Sequence, residues 1–134
     1  MKIFFEHIDR PWQRGNSDCF AAAADQLRGW FDIDPMERYR GRYRTLTGYL
    51  RIIRADGYKD AMEAFCGELE RRGWQSIQDG FDDRDVGLIR HYDGPRITAS
   101  PAIFHDGGWN IKTKQGWFFL MGNEGLLKAY RYGT

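Results

Sequence analysis

The sequence predicts an α+β domain, with helices in its first part and an antiparallel sheet in its second. Three observations point to this class. Apolar residues recur at helical spacing in three segments before residue 73. Beyond residue 73 short runs rich in β-branched and aromatic residues take over, separated by turn chemistry such as HDGG and KTKQG. The helical segments all come first instead of alternating with the strands, which separates this pattern from a parallel α/β fold. A chain of 134 residues fits one domain, 1–134, with a helical part over about 17–73 and a sheet part over about 74–134.

The elements follow in order. Ser17 and Asp18 both suit an N-cap, because a side-chain oxygen there takes the orphan amides of a first helical turn. From Cys19 to Phe31 the apolar positions 20, 23, 24, 27, 30 and 31 keep helical spacing, and Asp34-Pro35 breaks the pattern. A basic, aromatic connector, MERYRGRYRT (36–45), leads to a second helix over 46–55, with Leu46, Tyr49, Leu50 and Ile53 on one side. A third runs from about Lys59 to Arg71, its inner face lined by Ala61, Ala64, Phe65 and Leu69 and its end closed by Gly73. Strands are predicted at GWQSI, DVGLIRHY (85–92), ITASPAIFH (97–105), WNIKT (109–113) and GWFFLM (116–121). The final GLLKAYRYG reads as either a strand or a short helix.

Composition narrows the function classes. The 20 basic and 19 acidic residues leave a formal charge of +1, so no global field favours nucleic acid or an anionic membrane. Apolar runs are all too short to span a bilayer, and MKIFFEHID lacks the longer apolar core of a secretory signal. The two cysteines, Cys19 and Cys66, make neither a disulfide framework nor a zinc motif, which fits a reducing, cytoplasmic origin. The aromatic content of 16% is high for the size and points to rings at a partner interface as well as in the core. No cofactor and no metal site is expected. DGFDDRD (79–85) bunches four aspartates, but their spacing does not fit a calcium loop, and a solvated acidic loop is the reading.

The candidate for chemistry is Cys19. Unpaired amides and the positive end of the dipole at a helix start favour a thiolate, whereas the neighbouring Asp18 opposes it. A cysteine nucleophile also needs a histidine base, usually oriented by a third polar group. His91 and His105, near strand ends in the second half, are the candidates, and His7 in the N-terminal arm is the weakest. Cys66 reads as a packing residue. RYRGRYR (38–44) offers Arg38, Tyr39, Arg40, Arg42 and Tyr43 as an interface, with a partner protein preferred over nucleic acid, and Trp109 in the HDGGWN turn is a further exposed candidate.

WQRGNSDCFAAAADQL is similar to the N-terminal motif of small phage and prophage proteins related to the NlpC-type cell-wall cysteine peptidases, in which a W-x-x-G-x-x-D-C segment opens the cysteine helix. DIDPMERYRGRYRTLTGYLRIIRADG resembles the next segment of the same proteins, and DRDVGLIRHYDG resembles the first sheet strand of a papain-like core. The similarity covers residues 10–57 well and 80–121 loosely. It implies a papain-like, NlpC-related core, a place in the tail tip or baseplate of a tailed-phage virion made in the host cytoplasm, and other tail proteins as partners. It also implies a possible reaction, cleavage of amide bonds in peptidoglycan stem peptides by Cys19. The sequence departs from the enzyme pattern at the base. The stretch SPAIFHDGG puts Ser100, or with a one-residue slip Pro101, where the family's histidine stands. His105 is five residues further on, on the opposite face and roughly 16 Å away at strand rise. Asn110 and Gln115 are candidates for the third polar group. The sequence therefore favours a structural tail component with a peptidase-like fold. An active cell-wall peptidase using Cys19 with His105 or His91 is the alternative, and a small nucleic-acid-binding factor is the third reading.

Overall fold

The computed structural model describes residues 18–93, 95–113 and 116–133. Among these residues three helices come first, α1 (Cys19–Phe31), α2 (Leu46–Ala55) and α3 (Ala61–Arg71). Six strands follow, β1 (Trp74–Ile77), β2 (Val86–Asp93), β3 (Arg96–His105), β4 (Gly108–Thr113), β5 (Gly116–Leu120) and β6 (Leu126–Tyr132). The chain is thus an α+β fold with an antiparallel sheet, and its final segment is a strand.

Side chains start all three helices. Asp18, Thr45 and Asp60 each accept the backbone N–H three residues on, from Ala21, Gly48 and Glu63, satisfying amides that the helix itself leaves unpaired. Helix α1 ends at Asp32, which adopts the left-handed conformation (φ 58°) and donates its N–H to Arg28 O.

The strands lie in the order β1-β6-β2-β3-β4-β5, so the last strand enters the sheet between the first and the second. Side chains alternate between the two faces, and both faces are apolar. On one, Trp74, Val86, Leu88, Ile103 and Tyr130 pack under the helices, against Ala23, Ala24, Leu27, Ile53, Phe65 and Leu69. On the other, Ile89, Ala102, Trp109, Ile111 and Ala129 form a second core.

None of the described helices covers this second core. Phe81, in the loop ahead of β2, lies 5.3 Å ring to ring from Trp109, with Phe104 at 5.0 Å from the same indole. The loop is tied down by Asp85, 2% exposed, which accepts Arg131 Nε (2.9 Å), Arg131 Nη2 (2.7 Å) and the Asp82 N–H (2.7 Å). Asp79, Asp82 and Asp83 are exposed, as a solvated acidic loop implies, while the buried Asp85 anchors the stretch over the second core. Trp109 is corrected. It is fully buried, and its Nε1–H donates to Asn123 Oδ1 at 2.9 Å, so it presents nothing to a partner.

The turn before β6 depends on a glycine. Gly125 has φ +87°, and a Cβ there would stand 2.7 Å from the backbone oxygen of Arg90. The Arg90 N–H donates to Gly125 O at 2.8 Å, so turn and strand cannot move apart without losing that bond. Gly125→Ala is expected to destabilise the fold by about 1–3 kcal/mol, read as a lowered midpoint in chemical denaturation.

Candidate functional site

The amino end of α1 is built around a carboxylate. Asp18, 1% exposed, accepts the Ala21 N–H at 2.8 Å through Oδ1 and the Tyr43 hydroxyl at 2.7 Å through Oδ2. Burial, then the Asp18 carboxylate and its hydrogen bond, push the Tyr43 hydroxyl far up, so it remains a donor at any ordinary pH. Tyr49, buried beside Tyr43 with ring centroids 4.3 Å apart, is pushed up by burial and then by Asp18. Cys19 is the first residue of this helix, partly exposed and not disulfide-bonded, and close enough to add to the upward shift of both tyrosines. Asp18 thus positions the cysteine by capping its helix.

The described histidines lie away from that helix end. His105 is on the helix-facing side of β3, but its ring stands 6.3 Å from that of Trp30, near the carboxyl end of α1. Trp30 is eleven residues along the helix from Cys19, roughly 16 Å at helical rise. Asp83 and Asp106 flank His105 at 3.7 and 3.8 Å. His91 shares the face of Ile89, the sheet face turned away from the helices, and its Nε2 lies 2.7 Å from Ser100 Oγ. Ser100, one of the two positions where the family's histidine is expected, therefore points away from α1 as well. Pro101, the other, is buried and has the parity of Ile103, which packs under the helices. His7 lies outside the described residues, as does Gln115. The geometry does not bring His91 or His105 to Cys19, and it places the two histidines on opposite faces of the sheet. Asn110, 8% exposed, donates through Nδ2 to the backbone oxygens of Ile103, His105 and Gly108 and serves the β3–β4 turn.

The basic connector is also turned inward. Tyr39 and Tyr43 are buried. Tyr39 donates to Asp56 at 2.8 Å. Arg40 clasps Asp34 through Nε and Nη2 (2.9 and 3.0 Å) and reaches Asp25 on α1 at 2.6 Å. Arg38 pairs with Asp56 at 2.9 Å and Glu68 at 3.2 Å. Glu68, on α3, is fully buried and also receives Arg71, Arg72 and the Tyr58 hydroxyl (2.7 Å). Burial alone would raise its pKa, but donation from Tyr58, Arg72 and Arg71 outweighs burial and holds the carboxyl below its ordinary value. The expected interface at Arg38, Tyr39, Arg40 and Tyr43 is thus largely a brace between the three helices, and of that set Arg42 is the exposed member.

Besides Asp25 and Glu68, the buried polar side chains of Lys112 and Gln26 escaped the sequence reading. Lys112 on β4 is 5% exposed, its Nζ 5.9 Å from the centre of the Trp117 ring. The alternation Asn110, Lys112 was the available signal, since it puts both on one face. Gln26 on α1 is 0% exposed, and neither amide atom finds a partner among the described residues. Cys66 is buried, and burial pushes its thiol up despite the Tyr130 hydroxyl beside it, which fits packing. Among the described residues no three His, Cys, Asp or Glu side chains gather as a metal-binding set, and no helix is long and apolar enough to cross a membrane.

Fold and site together define a class: helices on one face of an antiparallel sheet, with a partly exposed cysteine opening the first described helix. Residues 2–119 match the family model described as Domain of unknown function (DUF6950), and the chain belongs to that family. No curated protein and no solved structure matches it.

Two outcomes follow from these contacts. Tyr43→Phe removes the buried hydroxyl that donates to Asp18 Oδ2, and is expected to cost about 1–3 kcal/mol in an unfolding titration. Glu68 titrates lower in the folded chain than in the unfolded one, so its contribution to stability is complete above the unfolded value of about 4.3 and is lost as pH falls through the folded value. Stability measured from pH 6 down to roughly 2 should therefore fall less steeply in Glu68→Gln than in the parent chain, starting from a level lower by about 1–3 kcal/mol.

Proposed function

We propose that this protein is a structural, partner-binding component of a tailed-phage tail tip or baseplate, built on a papain-like, NlpC-related core in which neither His91 nor His105 serves Cys19 as a base. The observation that carries the second half is Pro101. It occupies the helix-facing side of β3 beside the position where the family's base is expected, while Ser100 and His91 face the other way and His105 lies at the far end of α1. Neither His91 nor His105 is thus placed to take the Cys19 proton and later return it to a leaving amine. The first half rests on the resemblance of residues 10–57 to phage tail-module proteins, and it carries location in the virion and other tail proteins as partners. Nucleic acid fits poorly, because Arg38 and Arg40 are committed to Asp25, Asp34, Asp56 and Glu68.

The alternative is an active cell-wall peptidase, favoured by one feature: Cys19 is partly exposed at the first position of a capped helix. One experiment separates the two. Alkylation of Cys19 by iodoacetamide is followed against pH in a Cys66→Ala background, with and without His91→Ala or His105→Ala, and purified peptidoglycan is then offered to the parent chain and to Cys19→Ala. The structural reading expects an alkylation profile that neither histidine moves and no cysteine-dependent release of stem-peptide amines. Cleavage that vanishes in Cys19→Ala would establish the peptidase instead.

A further inference from the structure

The charges of this nearly neutral chain are sorted to two ends. Residues 42–59, which carry α2, hold five cations, Arg42, Arg44, Arg51, Arg54 and Lys59, against one carboxylate, Asp56. All five cations are exposed, and among the described residues none is in an ion pair. Arg42 and Arg54 donate to the backbone oxygens of Arg38 and Lys59, while Asp56 is engaged by Arg38 and Tyr39. The β1–β2 loop has the opposite sign, with Asp79, Asp82, Asp83 and Asp85 against one cation, Arg84. Asp106, in the β3–β4 turn, joins them, for its N–H donates to Asp83 Oδ1 at 3.2 Å. The side chains of Asp82, Asp83 and Asp106 are 81%, 52% and 82% exposed. Arg131 reaches this loop, but its short contacts go to the buried Asp85, with Asp82 at 3.7 Å. Helix α1 holds the two ends apart. Phe20, near its start, packs on Tyr49 of α2 at 5.9 Å ring to ring, and Trp30, near its finish, lies beside His105 and Arg84. Ten residues of helix separate Phe20 from Trp30, about 15 Å at helical rise.

We propose that copies of this chain associate head to tail, the cationic face of α2 in one copy meeting the acidic β1–β2 loop and β3–β4 turn of the next. Charge complementarity names the occupant. With 20 basic and 19 acidic residues in all, the chain carries on its own acidic end the counterpart of its basic one. Four of the five cations are arginines, whose forked donors suit carboxylates. Single-stranded nucleic acid is the poorer match, since it is held by stacking on exposed rings, and the rings of this segment, Tyr43, Tyr49 and Tyr58, are buried or half-buried. The two surfaces differ, so the contact is heterologous. Each copy keeps one end free for a further copy, and the product is a ring or an open filament. The charges that meet are exposed, so the contact is weak, steered from a distance and sensitive to salt. This inference does not rest on the phage reading, and its test reads mass and not activity.

The test is sedimentation velocity of the full chain over a wide concentration range, at ~0.01 M salt, where charges act over about 30 Å, and at ~1 M, where that range falls to about 3 Å. The parent chain is expected to form assemblies that grow with concentration at low salt, and to be monomeric at high salt. Arg44→Gln, Arg51→Gln and Arg54→Gln together blunt the basic face, and Asp79→Asn, Asp82→Asn and Asp106→Asn together blunt the acidic end. Each set alone should weaken association ~tenfold or more. An equimolar mixture of the two variants should form a dimer and stop there, because one supplies the intact acidic end and the other the intact basic face. That dimer shows that loss in the separate variants is not misfolding. A parent chain that stays monomeric at low salt would overturn the proposal, and a duplex DNA probe bound by that monomer would give the face to nucleic acid. Assembly that survives ~1 M salt, or is indifferent to either set of substitutions, would overturn it too. So would a mixture that stays monomeric or grows past two.

Discussion

A sheet with apolar residues on both faces must be covered twice, and this constraint organises the molecule. Helices α1 to α3 cover one face. The other is covered by the loop carrying Phe81, held in place by the buried Asp85 and its partner Arg131. Strand parity then decides where each polar side chain goes. His105 falls on the helix side and His91 on the loop side, so two histidines close in sequence occupy separate compartments. The same parity brings Pro101 under the helices and turns Ser100 outward. Register thus turns His91 away from the helix that carries Cys19, while His105 shares its side of the sheet but stands at the other end of α1.

The helical layer has its own constraint. Three helices of ten to thirteen residues offer limited area to one another, and the connector between α1 and α2 makes up for this with charge. Arg40 reaches α1, Arg38 reaches the end of α2 and the middle of α3, and Tyr43 holds the cap of α1. Glu68 receives three guanidinium groups and a phenol in a site with no exposed surface. Such a carboxylate is tolerated only because its lone pairs are all engaged, and this fixes the three helices relative to one another.

Much of the fold was legible because periodicity reports local geometry. The helix over 19–31 and the helix over 46–55 appear at the bounds that spacing predicts, and the strands begin and end within a residue or two of the runs that marked them. Sheet order was not legible, since nothing in GLLKAYRYG says that it pairs with both β1 and β2. The site was legible in part. Cys19 at a helix start follows from Asp18 and the alanine run. The inward role of RYRGRYR does not, because basic, aromatic composition describes a surface patch and an internal brace equally well. Only the partners Asp25, Asp56 and Glu68, distant in sequence, decide between them. Trp109 was misread for a similar reason: the turn ahead of it suggests exposure, yet the strand predicted over 109–113 lays its ring in the second core.

The insertion of β6 between β1 and β2 bears on how the chain reaches this state. Strand β1 is flanked in sequence by α3 and β2, yet its ladder partner is β6, more than fifty residues on. Until β6 arrives, Trp74 and Ile77 have no neighbouring strand, whereas β2, β3, β4 and β5 can zip together as successive hairpins. Closing that long loop comes at an entropic penalty before the contacts that reward it exist. The meander should therefore assemble early, and the docking of β6 should set the pace of folding, with the sheet split and both of its cores incomplete in the interval.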